Sequence, residues 1–145
     1  MEFTIIDSQT GEDPTFTNQK VASFLYDHLE QYGDAKEDIL KCIAYVYHKG
    51  GFITVGHEAG EIKGAVIINE TGMSGYIPEN ILVYIAVDRS TRGKGYGRKL
   101  MEKVIDRAAG DIALHVEPDN PAKFLYENLG FSNKYLEMRY KKNPA

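Results

Sequence analysis

The sequence predicts a mixed α/β domain built on a largely antiparallel sheet, with helices on both faces. Three observations carry this. Short β-rich runs alternate with stretches whose apolar residues recur at helical spacing. Two of the runs, Phe52–His57 and Ile62–Asn69, are joined by Glu58-Ala59-Gly60-Glu61, a good hairpin loop. A third, Ile81–Val87, is apolar at every position, as in a central strand covered on both faces. With 145 residues, 43% hydrophobic and 26% charged, the chain is expected to form one domain over 1–145.

The elements follow in order. Phe3–Ser8 reads as a short strand, and residues 9–17, with Gly11 and Pro14, as a loop. Val21, Ala22, Phe24, Leu25, Leu29 and Tyr32 mark a first helix that stops at Gly33. A second helix runs from Ala35 to Tyr47, with Ile39, Leu40 and Ile43 inward and Gly50-Gly51 ending it. The hairpin comes next, then a loop over 70–80 and the apolar strand Ile81–Val87. Leu100, Met101, Val104, Ile105 and Ala108 form one helical stripe closed by Gly110. Ile112–Val116 is the next strand. Asn120-Pro121 forms an N-cap and first-turn pair for a helix carrying Ala122, Leu125, Tyr126 and Leu129. Tyr135–Lys141 alternates Leu136, Met138 and Tyr140 with charged residues and is expected to be a last strand. The predicted order is β-α-α-β-β-β-α-β-α-β.

Charge is unevenly spread. The chain holds 17 basic and 21 acidic residues, a net −4. Arg89–Lys99 alone carries five basic residues and no acidic one, which leaves −9 elsewhere. An acidic body argues against general nucleic-acid binding, while a compact basic island suits a small polyanion. Ile81–Val87 is the longest apolar run, far short of the ~20 residues that span a bilayer. No signal-peptide pattern opens the chain, and Cys42 has no cysteine partner, so a cytoplasmic location is expected. His28, His48 and His57 fall on separate elements, and no metal site is expected.

The basic island lies between an apolar strand and a helix, and Gly93, Gly95 and Gly97 alternate through it. Such a turn leaves unpaired N–H groups at a helix start, where the macrodipole favours an anion. The Walker pattern is absent, and G-x-G-x-x-G fails in both registers, at Arg98 and at Leu100.

Arg92-Gly93-Lys94-Gly95-Tyr96-Gly97 fits R-x-x-G-x-G and resembles the acyl-CoA pyrophosphate loop of the GNAT (Gcn5-related N-acetyltransferase) superfamily. Downstream, Asn120-Pro121-Ala122-Lys123-Phe124-Leu125-Tyr126-Glu127-Asn128-Leu129-Gly130-Phe131 is similar to the family's second signature, N-x-x-A-x-x-L-Y-x-x-x-G-F. Its asparagine comes one residue late, with Asp119 in the expected place. The strong resemblance covers Ile81–Phe131.

The resemblance implies a GNAT-like sheet whose central strands splay apart, and transfer of an acetyl group from acetyl-CoA to a primary amine by direct attack. It implies that backbone groups of Ile85, Ala86 and Val87 pair with the pantetheine arm, with the Val87 N–H as oxyanion donor. The N–H groups of Gly93, Gly95, Tyr96 and Gly97, with Arg92, Lys94 and Arg98, would hold the pyrophosphate. Asn120 and Phe124 would contact the cofactor. Tyr126 would protonate the departing thiolate, against the plainer reading of a core tyrosine. The family's usual strand carboxylate is replaced by Ile81. That leaves Glu79 acting through water, His115, Glu117 or a water chain as the base. A monomer or a homodimer is implied.

Acidic residues Asp27, Glu30, Asp34, Glu37 and Asp38 crowd the first two helices, which suggests a cationic acceptor, although ordinary solvated helix faces would look the same. An acyl-CoA-binding regulatory module without turnover and a nucleotide-binding enzyme are the competing functions.

Overall fold

The computed structural model describes residues 1–143; the last two residues of the predicted domain, 144 and 145, lie outside them. The elements are β1 (Glu2–Ile6), α1 (Asn18–Leu29), α2 (Lys36–His48), β2 (Gly51–Glu58), β3 (Glu61–Glu70), β4 (Asn80–Val87), α3 (Tyr96–Arg107), β5 (Ile112–Leu114) and α4 (Ala122–Asn128). Single 3-10 turns occupy Glu30–Tyr32 and Arg89–Thr91. Residues 1–114 form one compact unit, and the chain from His115 onward forms a second, smaller one. Among the described residues no helix is long and apolar enough to cross a membrane.

The five strands of the first unit lie in the order β1-β2-β3-β4-β5. The first four pair antiparallel, and β4 pairs parallel with β5. At the β2–β3 hairpin, Ala59 and Gly60 both take positive φ, 52° and 78°, as a tight turn matched to strand twist requires. One face of the sheet packs Ile53, Val55, Ala65, Ile67, Tyr84 and Ala86 against Val21, Leu25, Ile39, Ile43 and Val46 of α1 and α2. On the other face lies α3, burying Leu100, Met101 and Val104. The Arg107 guanidinium sits 4.9 Å from the centre of the Phe52 ring.

β4 carries an extra residue. Ile67 pairs with Tyr84 and Ile68 with Leu82, so Val83 is a bulge. Cross-strand partners share a face. The bulge therefore moves the buried side chain from the α3 face at Leu82 to the α1/α2 face at Tyr84. Pairing with β5 covers only Asn80, Ile81 and Leu82. Beyond Leu82, β4 is paired with β3 alone. This is the splay that the resemblance implies.

Two sequence expectations are corrected. β5 stops at Leu114, not Val116, so His115 and Glu117 lie outside the strand. No strand forms over Tyr135–Lys141, where Tyr135, Leu136, Met138 and Tyr140 are all at least 79% exposed. Alternation describes a chain able to present two faces; a strand also needs an edge to pair with and a surface to cover one face. This segment pairs with no strand among the described residues, and its apolar side chains stay exposed.

Thr54, in the middle of β2, is fully buried, and its hydroxyl has no hydrogen-bond partner. An unsatisfied buried hydroxyl costs roughly 1–3 kcal/mol. Thr54→Val keeps the shape and suits a strand. It is expected to stabilise the fold by about 1 kcal/mol, read as a higher urea midpoint at unchanged slope.

Candidate active site

The turn after β4 is fixed by its own side chains. The Asp88 carboxylate accepts from the Ser90 N–H at 2.9 Å and the Ser90 hydroxyl at 2.7 Å, and the buried Thr91 hydroxyl donates to the Asp88 carbonyl at 2.8 Å. The chain then climbs through Gly93 at φ 83° into Gly95 at φ 78°, which caps α3 in the left-handed region. A Cβ at either glycine would meet nothing within 4 Å, so backbone angle rather than space demands glycine there. Lys94 N–H donates to the Thr91 carbonyl and Lys99 N–H to that of Gly95. Among the described residues, the N–H groups of Gly93, Gly95, Tyr96, Gly97 and Arg98 have no backbone acceptor. These are the N–H groups that the sequence expects to cradle an anion.

Its basic side chains are less free than their number suggests. Arg89 Nε and Arg92 Nη1 both pair with one oxygen of Glu30, at 2.8 Å and 3.1 Å. Arg89 also donates to the Asp27 carbonyl, and Arg92 to the His28 carbonyl at 3.2 Å. The two arginines thus cap the end of α1. They hold the Glu30 carboxyl below the usual carboxylate range, and they hold its backbone at φ 57°, strained for a residue with a Cβ. The Arg89 N–H points at His28 Nδ1, 3.4 Å away. Burial pushes His28 down, against the pull of Asp88. Arg98 pairs with Glu102, and the Tyr96 hydroxyl donates to Glu58 at 2.9 Å.

The edge of β4 that leads into the cradle is defined by one bond. Asp88 N–H donates to the Lys63 carbonyl of β3. Backbone groups alternate sides along a strand. Ala86 therefore faces β3, as its pairing with Ala65 requires, and the N–H groups of Ile85 and Val87 face the unpaired side. Between them and the bulge, the Tyr84 hydroxyl donates to Asp34 Oδ2 at 2.6 Å. Burial, then Asp34, raises Tyr84 above the ordinary phenol value. Asp34 also lines an open recess of about 620 Å³ with Tyr26, Asp27, Glu30, Gly33 and Ala35.

Glu79 stands at the opposite end of β4. Its carboxylate accepts from the Asp111 N–H at 2.7 Å and the Gly75 N–H at 3.4 Å. Those bonds, Asp111 first, lower it below the usual carboxylate range. Asn80 beside it donates to the carbonyls of Ala109 and Asp111. Glu79 and Asn80 brace the paired end of β4, about 26 Å along the strand from Val87 at ~3.3 Å per residue.

In the second unit, α4 begins at Ala122 with Pro121, not Asn120, as its N-cap; Asn120 stands one residue further out, and its side-chain oxygen accepts from the Ala122 N–H at 2.9 Å. Phe124 is 68% exposed, and His115 and Glu117 are exposed. Tyr126 is only 6% exposed, and burial pushes its phenol up to about 12. Phe131 lies 6.0 Å from it, ring centre to ring centre.

The structure thus brings the unpaired edge residues Ile85 and Val87 to the cradle Gly93–Arg98, and leaves Glu79 away from both. Sequence reasoning missed the Tyr84–Asp34 bond and the grip of Arg89 and Arg92 on Glu30. Both join residues at least 50 positions apart, and a single sequence carries no signal of them.

The acetyltransferase (GNAT) family model matches residues 36–131. The chain is 34% identical over 90 residues to N-alpha-acetyltransferase RimI of Mycobacterium tuberculosis, covering 58% of this chain and 57% of that protein. It is also 34% identical over 88 residues to 5-NmdU N-acetyltransferase of Pseudomonas phage PaMx11, covering 59% and 60%. The chain thus spans about three-fifths of the length of these curated relatives. Its fold is similar to that of the aminoglycoside N-acetyltransferase AAC(6')-Iy solved in complex with CoA, with a TM-score of 0.68 at 15% identity, covering 97% of this chain and 93% of that one.

Gly95→Ala is expected to lower stability by about 1–2 kcal/mol, because only the left-handed backbone is strained. Urea denaturation checks this.

Proposed function

The chain belongs to the acetyltransferase (GNAT) family, and on that premise we propose that it transfers an acetyl group from acetyl-CoA to a primary amine. The observation that carries this reading is the continuous donor track. It starts at the outward N–H groups of Ile85 and Val87 on the unpaired edge of β4. It ends at the free N–H groups of Gly93, Gly95, Tyr96, Gly97 and Arg98.

A pyrophosphate binds in the cradle, and the pantetheine arm runs back along the edge as an added strand. Residues 83–87 offer about 16 Å of edge at ~3.3 Å each, closed at Leu82 by the pairing with β5. The arm meets Val87 first and Ile85 nearer its thioester end. Ile85 is therefore the N–H placed for the oxyanion, and Val87, about 7 Å away along the strand, holds the arm. Lys94, Arg98 and the dipole of α3 add positive charge. Asn120 and Phe124 remain the proposed contacts in the second unit.

A neutral amine attacks the thioester carbon, the carbon–sulfur bond breaks, and the thiolate takes a proton. Tyr126 is the proposed donor. Its raised pKa keeps it protonated at any neutral pH, and its hydroxyl has no protein partner among the described residues. The carboxylates of the 620 Å³ recess support a cationic acceptor.

Two measurements test the reading. In a thermal-shift screen, CoA and acetyl-CoA are expected to stabilise the protein where ATP and NAD do not; ligand at ~100 times Kd adds about 2.7 kcal/mol. In a thiol-release assay over an amine panel, cationic amines should react faster than neutral or anionic acceptors. Stabilisation by CoA without thiol release from any amine would leave a binding module instead. Tyr126→Phe is expected to lower kcat by about 10²-fold with CoA affinity unchanged; equal losses in both would make Tyr126 structural.

A further inference from the structure

An amine acceptor with a pKa near 10 arrives as an ammonium and must lose a proton before it attacks. The position on β4 where a carboxylate would serve is Ile81, and Glu79 is tied to the turn before β5. One carboxylate does reach the splayed part of β4. Asp34, in the loop between the Glu30–Tyr32 turn and α2, accepts the hydroxyl of Tyr84 at 2.6 Å. Tyr84 immediately precedes Ile85, whose N–H points to the unpaired edge. The other oxygen, Asp34 Oδ1, takes no hydrogen bond among the described residues. It belongs to an exposed residue at the open recess, so it has a path to solvent.

We propose that Asp34 is the general base for the amine, and that Tyr84 is the positioning residue that holds it. The proposal rests on the acetyl-transfer reading above. The bulge at Val83 is what makes the arrangement available. Without that extra residue, position 84 would stay on the α3 face with Leu82, and its hydroxyl would not reach the α1–α2 loop. The bond from Tyr84 fixes one carboxylate oxygen and leaves the other bare.

The protons balance. The ammonium gives one proton to Asp34 and becomes the free amine. Its lone pair attacks the thioester carbon while the carbonyl electrons move to oxygen, held by the outward N–H of Ile85. Collapse of this intermediate breaks the carbon–sulfur bond. The thiolate takes the Tyr126 proton, and the amide nitrogen returns one to Tyr126 through water. Asp34 releases its proton to the recess, so one proton leaves per turnover.

Other charged groups surround Asp34. Asp27 and Glu30 line the same recess, and Arg89 and Arg92 neutralise Glu30. Lys36 sits over the Tyr26 ring at 5.9 Å. From α2, Asp38 and Cys42 act on Tyr84. With Glu30 neutralised, Asp27 is the lining carboxylate that joins Asp34 in favouring the approach of a cation.

The test is the pH profile of kcat for Asp34→Asn, with acetyl-CoA and the best amine of the panel. At pH 7 the variant should be slower by about 10²-fold or more, the usual worth of a general base. The deficit should shrink as pH rises and fall to about twofold or less by pH 10, where about half of the amine arrives deprotonated. CoA-induced stabilisation should match the wild type. Tyr84→Phe, which keeps the ring and the carboxylate, should show a smaller loss, about 3–10-fold, with the same recovery. A wild-type rate at pH 7 in Asp34→Asn would overturn the proposal, as would a loss of equal size at pH 7 and pH 10. A wild-type protein silent toward every amine would remove the acetyl-transfer reading, and this proposal with it. The two failures are therefore distinct.

Discussion

A strand inside a sheet normally has its N–H and C=O groups satisfied on both sides. β4 is satisfied on both sides only as far as Leu82. From Val83 to Val87 it is held by β3 alone. Most of the site follows from that one interruption. It leaves the amides of Ile85 and Val87 pointing at nothing within the sheet, in line with the unpaired amides of the turn that follows. An extended ligand that can hydrogen-bond like a strand and ends in a polyanion matches such a track from end to end.

The interruption is stabilised at both ends. At the paired end, Glu79 and Asn80 bind the backbone on either side of Asp111. At the open end, Asp88 and Thr91 lock the 3-10 turn, while Arg89 and Arg92 fasten it to the last carbonyls of α1. The bulge at Val83 lies between these anchors and turns Tyr84 toward α1 and α2. Each anchor uses a polar side chain that would look like ordinary surface in a sequence. Together they keep an unpaired strand edge in place without a neighbour.

What was legible in the sequence was local. The β2–β3 hairpin could be read because its turn residues lie beside the strands they join. The cradle could be read because Gly93 and Gly95 announce positive φ and the strand and helix flank them directly. The start of α4 was legible to within one residue, but its N-cap is Pro121 rather than the expected Asn120. Long-range contacts were not legible. Nothing near Glu30 reveals that two arginines some sixty residues later will grip it, and nothing near Tyr84 reveals Asp34. The alternation of Leu136, Met138 and Tyr140 was legible and still misleading, because periodicity carries no information about whether a pairing edge exists.

The grip of Arg89 and Arg92 on Glu30 changes how the basic island should be counted. An anion that reaches those guanidiniums does not meet two bare cations. It exchanges with a carboxylate already seated there, so the electrostatic gain is the difference between two ion pairs rather than the sum of two new ones. A singly charged anion gains almost nothing by that exchange, since it offers what Glu30 already supplies. A diphosphate brings more charge and more acceptor oxygens than one carboxylate and comes out ahead. At those two guanidiniums the internal carboxylate therefore favours a multiply charged anion over a singly charged one.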